Sequence, residues 1–250
     1  MKNIKLILFV LILICSCTTK KKILYTQDLD NNYNIEFSYI EYQIDIDDIL
    51  KITIDVQSVE SPLNDKNLNN YNSSKDALLF SGFQVDPSGN ISIAQIGQIM
   101  VKGMTISELE NFITSKIKEK GILIDPNVDV KLLNATFTVL GEVNRPGKYD
   151  FLKNNMNLLE AIGMAGDLTI NGSRKKITLI RDNNNKLVTA KLDLTNSKFL
   201  QSDYFQIFPG DIIIVDPNTS RVKNAGIIGN SGTLLSLLSF ILSSIIVINS

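Results

Sequence analysis

Few residues in this chain are equipped for chemistry, and the most reactive ones sit at one end. Histidine and tryptophan are absent from all 250 residues. Losing histidine removes the side chain that titrates near neutral pH and the commonest metal ligand. Neither a Ser-His-Asp nor a Cys-His nucleophile can be assembled, so only carboxylate-based or lysine-based catalysis stays open. The 26 acidic residues include no pair in a recognisable glycan-cleaving pattern. No acid/base pair or metal-ligating set emerges from the motifs, so neither cofactor nor metal is expected.

The two thiols, Cys15 and Cys17, stand within the first 17 residues. The remaining body has no cysteine and must hold its core by burial alone. A net charge of −1 argues against a nucleic-acid surface, which needs a basic excess. With 44% apolar residues, the chain can fill one large or two small domains.

Around the thiols the sequence reads as an address. Lys2 and Lys5 precede the wholly apolar residues 6–14, a run of signal-peptide length and short of the roughly 20 residues that a membrane helix needs. Ile14-Cys15-Ser16-Cys17 then resembles a bacterial lipobox, which implies cleavage before Cys17 and lipidation of its thiol. An ordinary signal peptide or an uncleaved anchor is the alternative. More than one acyl chain would make the attachment stable, at about 0.8 kcal/mol per buried CH₂. Residues 18–34 are polar and read as a tether from the membrane.

The elements that follow form two small α+β units. Tyr42 to Ile46 alternates, and residues 49–56 are rich in β-branched side chains, so strands are expected there. Residues 57–79 read as a long loop. Asp86-Pro87-Ser88-Gly89-Asn90 is a turn between Phe83–Asp86 and Ile91–Ile93, which predicts a hairpin. Thr105 and Glu108 form a capping-box pattern for a helix along Ile106, Leu109, Ile113 and Ile117, stopped at Gly121. An alternating strand follows Asp125-Pro126. The second unit begins near Ala135 with a strand to Leu140 and a turn-rich connector, Gly141 to Gly147, that contains Pro146. A second cap, Asn157 to Glu160, opens a short helix, and strands are expected over 176–181, 187–193 and 211–215. Gly97 and Gly103 echo the spacing of Gly141 and Gly147.

After Lys223 no charged side chain appears. Residues 227–250 are apolar and, at 1.5 Å per residue, would reach about 35 Å as a helix, enough for a membrane core. Gly232, Ser236, Ser239 and Ser243 would form a small-residue stripe, suited to close helix contact or to a water-filled pore. A buried soluble helix or a plain anchor is the alternative.

In order and spacing these segments resemble the polysaccharide export family, the outer-membrane channel proteins of capsule and exopolysaccharide secretion. Tyr42-Gln43-Ile44 with Asp48-Ile49-Leu50 is similar to its opening strand. Val85 to Ile93 is similar to its hairpin, Ile96-Gly97-Gln98-Ile99 through Gly103 to Leu109 to its glycine pair and helix start, and Asp125 to Val130 to its closing strand. Val139 to Gly147, with Leu158 to Ile162 and Ala165-Gly166, resembles the family's SLBB β-grasp domain. Three positions depart from the pattern: Ala94 replaces a frequent proline, and Asp47 and Asp167 stand where glycines are common.

The resemblance implies an α+β fold organised as a signal peptide (1–16), a lipidated N-terminus and tether (17–38), an export domain (39–134), an SLBB β-grasp domain (135–216), a linker (217–226) and a C-terminal transmembrane helix (227–250). It implies a non-catalytic conduit: a homo-oligomeric ring, lipid-anchored at the outer membrane with its body in the periplasm. Polysaccharide would be the cargo, and an inner-membrane polysaccharide co-polymerase the driving partner. Alternatives are a monomeric periplasm-facing lipoprotein that binds a soluble ligand through the SLBB domain, and a glycan-cleaving enzyme using paired carboxylates.

Overall fold

The computed structural model describes residues 24–29, 34, 38–56, 79, 81–94, 96–183, 186–218, 232, 235–236, 239–240 and 243–244. Two hydrophobic cores organise the chain, one before and one after residue 135.

In the first, β1 (Ile49–Val56) lies between β2 (Phe83–Gln84) and β5 (Pro126–Leu132), antiparallel to both. On β5, Val128 and Val130 point inward while Asn127 faces out, the alternation read from the sequence. Helix α1 (Ile106–Glu119) covers this sheet with Leu109, Ile113 and Ile117 buried. Its capping box is complete: Thr105 accepts from the Glu108 backbone N–H, and the Glu108 carboxylate accepts from the Thr105 N–H. Glu110 of α1 also accepts from the Val130 N–H at 2.9 Å, tying the helix to β5.

The expected hairpin across residues 83–93 is corrected. The turn forms, with the Asp86 carboxylate accepting from the Ser88 and Asn90 N–H groups at 2.8 and 2.9 Å. However, β3 (Asn90–Ile93) pairs forward with β4 (Gly97–Met100), while β2 pairs back with β1. The turn therefore joins two sheets instead of two strands of one. Buried Ile91 and Ile93 explain the choice, because pairing with β4 carries both into the core beside Ile99. The expected strand at 42–46 reduces to a single bridge between Gln43 and Thr105.

In the second core, the antiparallel hairpin of β6 (Thr136–Gly141) and β7 (Gly147–Asp150) is followed by β8 (Met156–Asn157) and helix α2 (Leu158–Met164). Next come β9 (Gly172–Asp182), β10 (Leu187–Leu192), β11 (Gln206–Ile207) and β12 (Ile212–Pro217). The five-stranded sheet has the order β10-β9-β12-β6-β7, and β12 runs parallel to β6. Helix α2 packs Leu158, Ala161 and Ile162 into this core and carries its own capping box between Asn157 and Glu160.

The expectation of a C-terminal transmembrane helix is overturned. Among the described residues no helix is long and apolar enough to cross a membrane. The fold class of the described residues is therefore α+β, with mixed sheets packed against the helices Ile106–Glu119 and Leu158–Met164. Gly232, Ser236, Ser239 and Ser243 are helical, but the Ser236 and Ser239 hydroxyls bond back to their own backbone. Ser236 donates to the Gly232 carbonyl and Ser239 to the Ser236 carbonyl, at 3.0 and 2.9 Å. A serine bonded to its own preceding turn interrupts an apolar run without presenting its hydroxyl to a neighbour. Apart from 232, 235–236, 239–240 and 243–244, residues 227–250 lie outside the described residues, as do Cys17, the signal-like run and all of the expected loop at 57–79 except Leu79, which is helical.

Candidate functional site

The strongest concentration of buried charge and aromatic surface stands where the two units meet. From the second unit, Arg181 of β9 reaches Asp211, which is fully buried just before β12. Arg181 donates through Nε to Asp211 Oδ1 at 2.9 Å and through Nη2 to Oδ2 at 2.7 Å, a bidentate pair. Nη2 also donates to the Gln206 carbonyl at 2.7 Å, and the Phe208 N–H donates to Asp211 Oδ2 at 2.8 Å. The guanidinium lies 4.3 Å from the Phe208 ring centre and 5.4 Å from that of Tyr204. Burial pushes the Asp211 carboxyl up from its ordinary range, against the opposing pull of Arg181.

On this platform rests the start of the first unit. The Gln206 side chain copies a backbone partner: its Oε1 accepts from the Ile40 N–H at 2.8 Å, and its Nε2 donates to the Ile40 carbonyl at 2.7 Å. Two residues on, the Tyr42 ring tilts against Phe208 with centres 6.4 Å apart. The Tyr42 hydroxyl donates to Asp48, 3.0 Å from Oδ2. Asp48 Oδ2 also accepts from the Asp45 N–H at 2.9 Å. Burial is the main reason the Asp48 carboxyl is pushed up to about 6, with the nearby Asp45 and Asp47 carboxylates adding to it. Lys102 pairs with Asp45, not with Asp48. Asn134, in the connector, closes the joint by accepting from the Ile49 N–H at 2.9 Å and donating to the Asp47 carbonyl at 3.0 Å. The two units are thus fastened at Ile40 and Tyr42.

Part of the expected tether makes contacts of its own. Residues 24–28 lie against the second unit, because backbone and side chains both find partners there. The Thr26 and Gln27 N–H groups donate to the Leu194 and Thr195 carbonyls, each at 2.9 Å. The Asp28 carboxylate accepts from the Ser197 N–H and hydroxyl at 2.7 and 2.9 Å. Tyr25 donates its hydroxyl to Asp167, and its ring centre is 5.8 Å from the Arg174 guanidinium. Burial, followed by the bond to Asp167, raises the Tyr25 phenol well above its ordinary value.

The motif residues prove to be turn-formers. Gly89 has φ +83°, and a Cβ there would come within 2.7 Å of Lys102 Cβ. Gly141 has φ +88° and abuts the Val215 carbonyl of β12, so a side chain would collide with that backbone. Asp86 and Pro87 make the turn before β3. Gly97 opens β4, Gly103 donates its N–H to the Ile44 carbonyl, and Gly147 follows Pro146 to open β7. The two glycine pairs therefore occupy different places: Gly97 and Gly103 surround β4, whereas Gly141 and Gly147 separate β6 from β7. These residues shape both units without converging on one pocket.

The two departures at Asp47 and Asp167 keep the backbone of glycine. Asp47 has φ +66° and Asp167 φ +69°. Aspartate tolerates this region because its short carboxylate bonds locally. Asp167 accepts from the Leu168 N–H at 2.6 Å, and Asp47 accepts from the Gln84 amide at 3.2 Å. Asp167 thereby supplies the acceptor for Tyr25 that glycine lacks.

An apolar cleft of about 660 Å³ opens in the first unit, lined by Ile54, Phe83, Ile93, Ile96, Ile117 and Leu123 among others. It presents no titratable group. Among the described residues no cluster of three His, Cys, Asp or Glu side chains is placed to hold a metal. Sequence reading missed the roles of Arg181, Gln206, Phe208, Tyr25 and Asp28. The one available signal was Pro209-Gly210-Asp211, which stands at the start of the strand expected over 211–215.

Comparison with known proteins gives a consistent pattern. Residues 38–133 match the polysaccharide biosynthesis/export protein family, and residues 136–189 match the SLBB domain. The polysialic acid transport protein KpsD of Escherichia coli is 34% identical over 162 residues, covering 62% of this chain and 28% of that protein. The EPS I polysaccharide export outer membrane protein EpsA of Ralstonia nicotianae is 33% identical over 105 residues, 40% of this chain and 27% of that protein. Its namesake from Ralstonia solanacearum is 28% identical over 159 residues, 62% of this chain and 41% of that protein. The chain spans less than half the length of these curated relatives.

Proposed function

The chain belongs to the polysaccharide export family, with an SLBB domain following its export domain, and from that premise we propose that it is one subunit of an outer-membrane export channel for capsular or extracellular polysaccharide. The subunits close into a homo-oligomeric ring, and the polymer passes through it without covalent chemistry in this chain. Each subunit is anchored by lipid on Cys17, with its body in the periplasm. An inner-membrane polysaccharide co-polymerase delivers the polymer.

The observation that carries this reading is the export domain followed directly by an SLBB domain and fastened to it. Gln206 and Phe208 hold the second unit against Ile40 and Tyr42 of the first, which suits a stave in a ring better than two modules on a free linker. Closed rings are the common solution for repeated copies of one asymmetric interface. Support for cargo and compartment comes from the printed functions of KpsD and EpsA.

The test has two parts. Deleting the gene should stop secretion of the polymer, and restoring the full chain should return it. The detergent-extracted protein should form a closed particle of several copies, read by native mass spectrometry and electron microscopy. A monomer that still restores secretion would overturn the ring. Undiminished secretion after deletion would overturn the export role.

A further inference from the structure

The five-stranded sheet of the SLBB domain has two edges. Strands β10 and β7 stand at opposite ends of the order β10-β9-β12-β6-β7, each paired with one neighbour. A sheet edge presents backbone N–H and C=O groups and is a template for another strand.

Hydrogen-bond phase identifies the residues that present them. Asn183 and Lys186 exchange both backbone bonds, at 2.9 and 3.2 Å. Bonded positions alternate along an antiparallel pair, so Arg181–Val188, Leu179–Ala190 and Ile177–Leu192 are bonded too. Leu187, Thr189 and Lys191 therefore turn their backbone groups away from β9. The Leu194 N–H returns to the Arg174 carbonyl at 2.7 Å, which leaves Asp193 turned outward as well. At the other edge the Phe151 N–H donates to the Ala135 carbonyl at 3.1 Å. Phe137–Tyr149 and Val139–Gly147 are then bonded pairs, and Lys148 and Asp150 face outward.

The two edges match in direction and in face. Strand β10 runs with β12 and β6, whereas β7 runs against them. Brought to β10 of an identically oriented neighbour, β7 is antiparallel to it. Leu187, Thr189, Lys191, Lys148 and Asp150 are all exposed, on the face of the sheet opposite the core that α2 covers. Joining the edges keeps the buried faces on one side.

Charge selects the register. A lysine in an edge strand deters pairing unless an acid meets it. With Lys191 opposite Asp150, Asp193 falls opposite Lys148, which gives two cross-strand pairs of opposite sign. A slip of two residues one way sets Lys191 against Lys148, and the other way sets Asp193 against Asp150.

We infer that β10 of one subunit pairs antiparallel with β7 of the next, in the register Lys191–Asp150 and Asp193–Lys148, so that the SLBB sheets run continuously around the ring. The pairing presupposes the ring proposed above and specifies a contact that closes it. Self-pairing of an edge is two-fold and builds no larger ring, whereas β10 against β7 is head-to-tail and repeats.

The experiment uses the full chain extracted in detergent. Within one chain, residues 191 and 150 are four strand spacings apart, about 19 Å, beyond the roughly 7 Å that a disulfide spans. Combining Lys191→Cys with Asp150→Cys should therefore give a ladder of disulfide-linked chains on a non-reducing gel. Each substitution alone, or Lys191→Cys with Ser115→Cys on the exposed face of α1, should give little. Lys191→Glu should raise the monomer fraction several-fold by native mass spectrometry, and adding Asp150→Lys should restore the particle. A closed particle that shows neither the ladder nor a response to Lys191→Glu would overturn the edge pairing and leave the ring standing. Linked dimers from Asp150→Cys alone would signal two-fold pairing of β7 and also overturn it. A monomeric parent chain would defeat the ring and the pairing together.

Discussion

Asp48 and Asp211 flank the same joint, one in each domain, and they are stabilised in different ways. Asp211 is fully buried and answered by a bidentate guanidinium. Asp48, 8% exposed, is held by a phenol and a backbone N–H, and among the described residues no cation pairs with it. A carboxylate paired with arginine keeps its charge by attraction. One bonded only by neutral donors bears most of its desolvation and becomes sensitive to protons. Burial raises both carboxyls, but Arg181 opposes the shift at Asp211, so the joint combines an ion pair on the SLBB side with an unpaired, titrating carboxyl on the export side, connected through Phe208 and Tyr42.

The sharpest way to break this contrast is to remove the cation. Arg181→Met should leave Asp211 buried without its counter-charge and destabilise the SLBB domain by about 3–5 kcal/mol, read by denaturant unfolding. A loss below about 1 kcal/mol would mean that the pair is not the centre of the joint.

The next effect is the pH dependence of Asp48. Its folded carboxyl titrates near 6, against an ordinary value of 3.8. The folded state therefore binds this proton more tightly than the unfolded chain. Its stabilising contribution is complete below about pH 3.8 and is lost as pH rises through about 6. Asp48→Asn should flatten this part of the stability curve between pH 4 and 7 and make the variant relatively more stable at pH 7.5, by about 1–2 kcal/mol. Identical pH slopes for variant and parent would remove Asp48 from the comparison.

The smallest effects test whether the domains differ away from the joint. Thr105→Ala and Asn157→Ala each remove an N-cap, and each should cost about 1 kcal/mol in thermal or denaturant unfolding. Similar losses would confine the asymmetry to the joint. A loss several-fold larger at one cap would spread it through that domain.

Local chemistry was legible in the chain itself. Both capping boxes, the inward stripe of Leu109, Ile113 and Ile117, the alternation of β5 and the turn at Asp86–Asn90 depend on residues within a few positions of one another. The partner of β3 was not legible, because β2 and β4 both flank it and only burial of Ile91 and Ile93 chooses between them. A 24-residue apolar tail suggested a spanning helix, but no such helix stands among the described residues. Hydropathy alone does not reveal how serine hydroxyls are satisfied.

The sequence by itself determined the two-domain order, the capped helices, the absence of histidine chemistry and the lipobox-like Cys17. Each follows from residue type and short spacing, which need no tertiary partner. Only the tertiary structure decided that Tyr25 reaches Asp167, 142 residues away, and that Gln206 holds Ile40 across 166. Those contacts depend on where separate elements end in space. Neither polar residue carries a local mark distinguishing it from a solvated one. The same is true of Asp47 and Asp167: the sequence showed that glycine was missing, and the fold showed that its left-handed backbone had been kept.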